Sequence, residues 1–187
     1  MLRIVPFWFT LYKFFNSLFL GLSVGAIFTL YAPLEPSIYS LGGVLLAFCM
    51  LLIAQLYDYI LNAYWFFRIS LFVELVLLLA MLYFIYYSYS YQTALLLYIG
   101  YQITFVFGSY LVRAETLLLK SHLLLKNIDT AKQLGYLVGM GASYFIYRLF
   151  NYYTITSAQE QVYTLHYLLI VVEIIVIGLV LKSFKKG

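Results

Sequence analysis

Charged side chains are scarce in this sequence, and their scarcity narrows its class. Only 10% of the 187 residues are Asp, Glu, Lys or Arg, whereas 65% are hydrophobic, and the mean hydropathy is +0.96. A soluble domain is about one quarter charged, and a water-facing domain of this length cannot bury so much apolar surface. The composition excludes an ordinary soluble domain and predicts an integral membrane protein.

Cysteine and catalytic motifs are also nearly absent. The single cysteine, Cys49, cannot form an intramolecular disulfide. The sequence holds no phosphate-binding loop, HExxH zinc helix or CxxC pair. The net charge of +4 does not predict nucleic-acid binding, because the cations flank apolar runs. We therefore expect no metal, no cofactor and no enzymatic activity.

What the sequence does contain is long apolar runs. A helix that crosses a bilayer needs about 20 such residues, and six runs meet this length: 6–30, 38–60, 66–87, 93–112, 134–152 and 162–181. The fourth run can be extended through Leu119. Continuous rather than alternating hydrophobicity predicts helices, because open strands leave backbone groups unsatisfied in lipid. The expected fold is an all-α, polytopic membrane protein with six transmembrane helices in a single domain, 1–187.

The positions of the cations predict an orientation. With both termini on the inside, the inner segments hold nine of the eleven cations: Arg3, Arg68, Arg113, Lys120, Lys126, Lys132, Lys182, Lys185 and Lys186. The outer loops (31–37, 88–92 and 153–161) hold only Glu35 and Glu160 as charged residues. Cytoplasmic loops are enriched in Lys and Arg. We therefore expect a multi-pass protein of the inner (cytoplasmic) membrane with N- and C-termini in the cytoplasm.

Three ionisable residues fall well inside predicted spans. Such a group costs roughly 2.5–3.5 kcal/mol on insertion scales, so each needs a partner or a role. Glu173 lies near the middle of the sixth span, whereas Glu74 and Lys13 lie at similar depths in the third and first, where they can neutralise each other if the helices are neighbours. A carboxyl group in apolar surroundings can also exchange a proton near neutral pH. For both glutamates, structural pairing and proton coupling stay open.

Further charges gather where the fourth span ends. Arg113 and Glu115 lie about 200° apart around a helix, so they cannot pair with each other and need different partners or a watery cavity. Lys120, Lys126 and Lys132 follow, and for these three a topology signal alone and a role in a site both stay open. Arg148, near the outer end of the fifth span, can extend its side chain to the interface.

Small residues indicate where helices pack closely. Gly21 and Gly25 recur in the first span, and the fifth span holds a second set: Gly135, Gly139, Gly141, Ala142 and Ser143. Close backbone approach helps to drive helix association in lipid. Ser143 with His166 is also a combination found in intramembrane serine proteases. The two residues fall at different depths of their spans, and we interpret His166 as a polar cap.

The chain divides into two three-span halves, 1–91 and 92–187. An odd number of crossings places the halves in opposite orientations, which is the plan of a 3+3 inverted repeat in transporters. The run from "TLYKFFNSLFLGLSVG" to "LLIAQLYD" resembles the first two helices of a major facilitator superfamily transporter, and "DTAKQLGYLVGMGAS" is similar to the start of that family's fifth helix.

The resemblance implies roles for several residues. Asp58 stands where the family has the acidic residue of its inner loop, and with Arg68 it is a candidate gate. The first and fourth helices of the family line the central cavity, which makes Lys13, Asn16, Gln102 and Arg113 candidate lining residues. We also retain Arg148 as a lining candidate.

Two functions follow as expectations. The first is a half-size secondary transporter of a small solute, which pairs with a copy of itself or with a related six-helix chain and works by alternating access. Proton coupling is possible, through Glu173 or Glu74, with Lys13, Arg113 and Glu115 as further candidates. The second is a non-transporting integral membrane subunit, either a solute-binding component or an assembly factor of a larger complex.

Overall fold

Helices make up almost all of the fold. The computed structural model describes residues 2–186, with side chains through 185. Its helices are α1 (Pro6–Tyr31), α2 (Pro36–Gln55), α3 (Tyr57–Ile60), α4 (Ala63–Tyr86), α5 (Tyr91–Val106), α6 (Gly108–Leu119), α7 (His122–Tyr152) and α8 (Ala158–Ser183). Two short strands, β1 (Leu2–Ile4) and β2 (Phe184–Lys186), flank them.

Helix starts are encoded locally. Pro6 and Pro36 open α1 and α2, where the missing backbone N–H costs nothing. The side chain of Asn62 accepts hydrogen bonds from two backbone N–H groups at the start of α4, and Ser90 and Ser121 each accept one at the starts of α5 and α7.

The two ends of the described chain lie together. β1 and β2 pair antiparallel, with Arg3 opposite Lys185 and Ile4 opposite Phe184. The backbone N–H of Val5 extends the contact by donating to the Ser183 carbonyl at 2.8 Å. The first and last helices therefore begin and end at the same end of the bundle.

Within residues 2–186, five helical stretches are long and apolar enough to cross a membrane: α1, α2, α4, α8 and the continuous stretch Tyr91–Leu119 formed by α5 and α6. They correspond to five of the six predicted spans. Phe107 separates α5 from α6, with Gly108 at the break, and the extension of the fourth run through Leu119 is confirmed as helix.

The fifth predicted span differs in its bounds and character. The helix that contains residues 134–152 begins twelve residues earlier, at His122. The stretch 113–133, which lies between the fourth and fifth predicted spans, is therefore helical rather than a loop, because α6 and α7 leave only Lys120 and Ser121 between them. Lys120 turns the chain with φ 48°. Ser121 then caps a helix whose charged residues can face solvent, a pattern that a search for uniformly apolar runs does not detect.

α1 and α7 pack at backbone contact distance. A Cβ atom on Gly135 would collide with the Phe14 carbonyl oxygen, and one on Gly139 would collide with the Leu18 carbonyl oxygen. Gly21 faces the same seam from α1. The predicted small-residue contact is confirmed at these three positions, whereas a Cβ atom on Gly141 would meet no described atom within 4 Å beyond its own turn of helix, so Gly141 does not take part.

The core lies between α1, α4 and α8, whereas α2 stays at the periphery. α8 packs against both α1 and α4. None of the residues of α2 is buried, and α2 contacts the bundle chiefly through α5. One side of α2 is therefore free to face lipid or another protein.

Candidate functional site: a buried charge network

Two glutamates meet at the centre of the bundle. Glu74 of α4 is 1% exposed and Glu173 of α8 is 0% exposed. Their carboxyl groups lie within hydrogen-bonding reach of each other. Neither oxygen of Glu173 has another hydrogen-bond partner among the described residues, and Glu74 Oε2 also has none. We call these two residues the carboxyl pair.

Side chains from α1 hold one end of the carboxyl pair. The Tyr12 hydroxyl donates to Glu74 Oε1 at 2.8 Å, and the Asn16 amide donates to the same oxygen at 3.0 Å. Tyr12 and Asn16 lie four residues apart, on one face of α1. This face turns two donors toward α4 and fixes the position of the Glu74 carboxyl group.

Lys13 of α1 faces a different acid. Its ammonium lies 2.8 Å from Glu115 Oε2, so the structure pairs it directly with Glu115 rather than with Glu74. Glu74 is still close enough to Lys13 for an electrostatic attraction between the two side chains. The same ammonium lies 4.9 Å from the centroid of the Tyr12 ring and 5.2 Å from that of Phe9. Aromatic faces thus give the buried cation further stabilisation.

A second lysine continues the network toward the surface. Lys132 of α7 binds the other oxygen of Glu115 at 2.5 Å and lies 3.3 Å from Asp129. Exposure rises from Glu115 to Asp129: the side chain of Glu115 is 4% exposed, that of Lys132 is 25% exposed and that of Asp129 is 68% exposed. The charges therefore form a series from the bundle centre to its surface.

The network joins five helices. We call it the buried charge network, and its members are Tyr12, Lys13, Asn16, Glu74, Glu115, Lys132 and Glu173. Buried ion pairs are costly to desolvate and strongly destabilising to break. Two carboxyl groups so close together do not both ionise readily, and a shared proton relieves their repulsion. The arrangement can hold a proton and can couple its presence to the ion pairs between helices.

Several predicted site residues lie elsewhere. Arg113 is exposed on α6, outside the network. Arg148 is exposed on α7, where it stacks on Tyr144 and donates to its hydroxyl at 3.2 Å. Asp58 and Arg68 are both exposed and form no ion pair within the described chain; Arg68 instead stacks on its own helix's aromatic residues.

Gln102 lines a different feature, an apolar groove of about 440 Å³ between α2 and α5. Its amide oxygen is buried and has no hydrogen-bond partner among the described residues. Cys49 and Tyr98 line the same groove. The network and this groove are separate sites.

Ser143 and His166 each have a structural partner. The Ser143 hydroxyl donates to the Leu22 carbonyl at 3.2 Å across the α1–α7 seam. The His166 Nδ1 atom lies 2.7 Å from the Val162 carbonyl, and its ring centroid is 4.3 Å from that of Phe84. His166 is buried rather than an interfacial cap.

Sequence reasoning missed two members of the network. Tyr12 stood out in no pattern, although a tyrosine in the interior of a span, rather than at a membrane boundary, was a usable indication. For Lys132, the sequence left open whether it is more than a topology signal. Its position three residues after Asp129 and close to the glycine seam would have placed it nearer to the bundle.

Comparison with known proteins gives no relative: no family model, no curated protein and no solved structure matches this chain.

Proposed function

We propose that this protein is a membrane transporter bundle whose buried charge network couples proton binding to the movement of a small solute. The observation that carries the proposal is the carboxyl pair, which is fully enclosed and lies beside a chain of ion pairs that runs from Lys13 through Glu115 and Lys132 to Asp129 at the surface. Ionisable groups inside membrane bundles mark proton and substrate pathways. A purely structural role does not require two acids without neutralising partners of their own.

The proposal includes six crossings with both ends on one side of the membrane. In the described part of the chain, five helical stretches qualify by length and hydropathy, and an odd number of crossings would separate the paired strands β1 and β2. α7 has 31 residues, about 46 Å at 1.5 Å per residue, which is more than a bilayer core needs. The close α1–α7 seam supports α7 as the sixth crossing. The distribution of Lys and Arg supports cytoplasmic termini in an inner membrane.

Alternating access requires this bundle to move against a second one. We propose that a second copy or a related six-helix chain supplies it. The absence of any buried residue in α2 supports an additional contact along this helix. The proposal also includes a resemblance to the major facilitator superfamily, which suggests the arrangement of two bundles. It further includes a 3+3 inverted relation between the two halves of this chain.

Reconstitution tests the function. The purified full chain is placed in liposomes that contain a pH-sensitive dye, and a panel of small carboxylate, amine, sugar and amino-acid solutes is added outside. The proposal predicts that at least one solute drives a change in internal pH. Glu173→Gln should abolish this change, whereas Glu160→Gln, which alters an exposed glutamate on the same helix, should preserve it.

A non-transporting membrane subunit is the second candidate, and the uncovered side of α2 suits it equally well. Gentle purification from the native membrane separates the two functions. Recovery of unrelated subunits in fixed ratio, together with no solute-driven pH change across the panel, would favour the subunit and contradict the transporter.

A further inference from the structure

The charges of the buried network do not balance when all of them are ionised. Glu74, Glu173 and Glu115 supply three negative charges, whereas Lys13 and Lys132 supply two positive charges. One negative charge is left over in a region where the carboxyl pair is at most 1% exposed. An uncompensated charge in such surroundings is strongly disfavoured.

The excess belongs to the carboxyl pair. Glu115 already has an ammonium on each oxygen, at 2.8 and 2.5 Å. Glu74 has two neutral donors on one oxygen and Glu173 has none. A single proton placed between the two acids supplies the missing donor and removes the excess charge at the same time.

Groups on the neighbouring helices do not remove the excess. Tyr12 of α1 and Tyr101 of α5 are buried near Glu173, but a phenol is neutral. Asp129 is largely exposed to solvent, which compensates its charge. His166 lies about two turns away from Glu173 along α8, against Phe84. The described residues therefore offer no third cation to the carboxyl pair.

We propose that the buried charge network is held electrically neutral and for this reason binds one exchangeable proton, carried by Glu74 and Glu173 as a shared site. This inference deepens the proposed function. Only the use of the proton in transport rests on that function; the presence of the proton does not. Each bundle therefore binds a single proton. Glu74 and Glu173 act together as one proton site, rather than as two alternative coupling residues.

Neutrality predicts how the number of protonated carboxyl groups changes in variants. The wild-type network needs one proton near pH 7. Glu173→Gln removes the excess charge, so no proton is needed, and Glu74→Gln has the same effect because Glu173 must then balance the lysines. Lys13→Gln removes a positive charge, so a second carboxyl group must become protonated.

Infrared spectroscopy measures this number directly through the carbonyl stretch of protonated carboxylic acids. Full-length protein in lipid nanodiscs at pH 7 should show the band in the wild type, no band in Glu173→Gln or Glu74→Gln, and about twice the wild-type intensity in Lys13→Gln. Glu160→Gln and Lys126→Gln, both at exposed positions, should keep the wild-type intensity. Glutamate labelled with ¹³C assigns the band to glutamate side chains.

The wild-type spectrum tests the proposal even if a variant fails to fold. A folded wild type without the band would overturn the proposal, as would an unchanged band in folded Glu173→Gln or Lys13→Gln. Loss of the wild-type band when Na⁺ replaces K⁺ would assign the site to a metal cation and would equally overturn it. No solute is present, so a protein that shows the band but moves no solute would contradict only the transport function.

Discussion

Lys13 and Glu115 form an ion pair of 2.8 Å that joins α1 to α6 inside the bundle. This pair explains why charges gather near residues 113–132 of so apolar a chain. Glu115 is the buried acid that accepts cations from two sides, and Lys132 is the second of these cations. The adjacent Arg113 and Lys120 stay exposed. The charge cluster therefore has an inner part that ties helices together and an outer part that does not.

Removal of one member of this pair should destabilise the bundle. Glu115→Gln leaves Lys13 and Lys132 without their acid, and loss of one partner of a buried ion pair costs about 3–5 kcal/mol. The double variant Lys13→Met/Glu115→Gln should lose less than the sum of its single variants. Unfolding of the detergent-solubilised protein measures these differences, and Arg68→Gln, at an exposed site, should change stability by no more than about 0.5 kcal/mol. Additive single-variant effects would mean that the two side chains do not interact.

Glu173→Gln should separate transport from folding. The substitution preserves the shape of the side chain while removing its ability to exchange a proton. We expect normal membrane insertion and at least tenfold slower solute-driven proton movement, about 1.4 kcal/mol or more in the activation free energy. Liposome flux and the elution profile of the purified protein measure the two properties. Normal flux in a correctly inserted variant would remove Glu173 from the coupling site.

The glycine seam offers a matched pair of substitutions on one helix. Gly139→Ala places a methyl group against the Leu18 carbonyl and should destabilise the protein by about 1–3 kcal/mol. Gly141→Ala meets no atom within 4 Å and should be neutral or up to about 1 kcal/mol more stable, because alanine favours helix. Thermal unfolding of both variants tests the contact. Equal effects at the two positions would contradict the α1–α7 packing.

Much of the fold could be predicted from the sequence because membrane helices are encoded by simple patterns. Predominantly apolar runs located α1, α2, α4 and α8, since a helix that crosses a bilayer needs about 20 predominantly apolar residues. The first turns of α7 could not be predicted in this way. These turns carry Lys126, Asp129 and Lys132, which lower the average hydropathy. A helix with one polar face cannot be told from a loop when only average hydropathy is considered.

The site was predictable in its residues more than in its contacts. Glu74, Glu173 and Lys13 stood out because charge is expensive in the membrane interior. Their pairing depends on which helices are neighbours and how each is rotated, which a single sequence does not specify. The sequence predicted Glu74 as the partner of Lys13, whereas the direct contact is with Glu115.

The position of the buried charge network within the membrane depends on whether α7 crosses the membrane. Cysteine accessibility tests this crossing most directly. In a Cys49→Ala background, single cysteines replace Asn127 in the first turns of α7 and Thr156 beyond its end, both at exposed positions. A membrane-impermeant maleimide is then applied to intact cells. The account predicts that the cysteine at position 156 reacts from outside, while the one at position 127 reacts only after the membrane is opened. Reaction of both positions from the same side would contradict the sixth crossing.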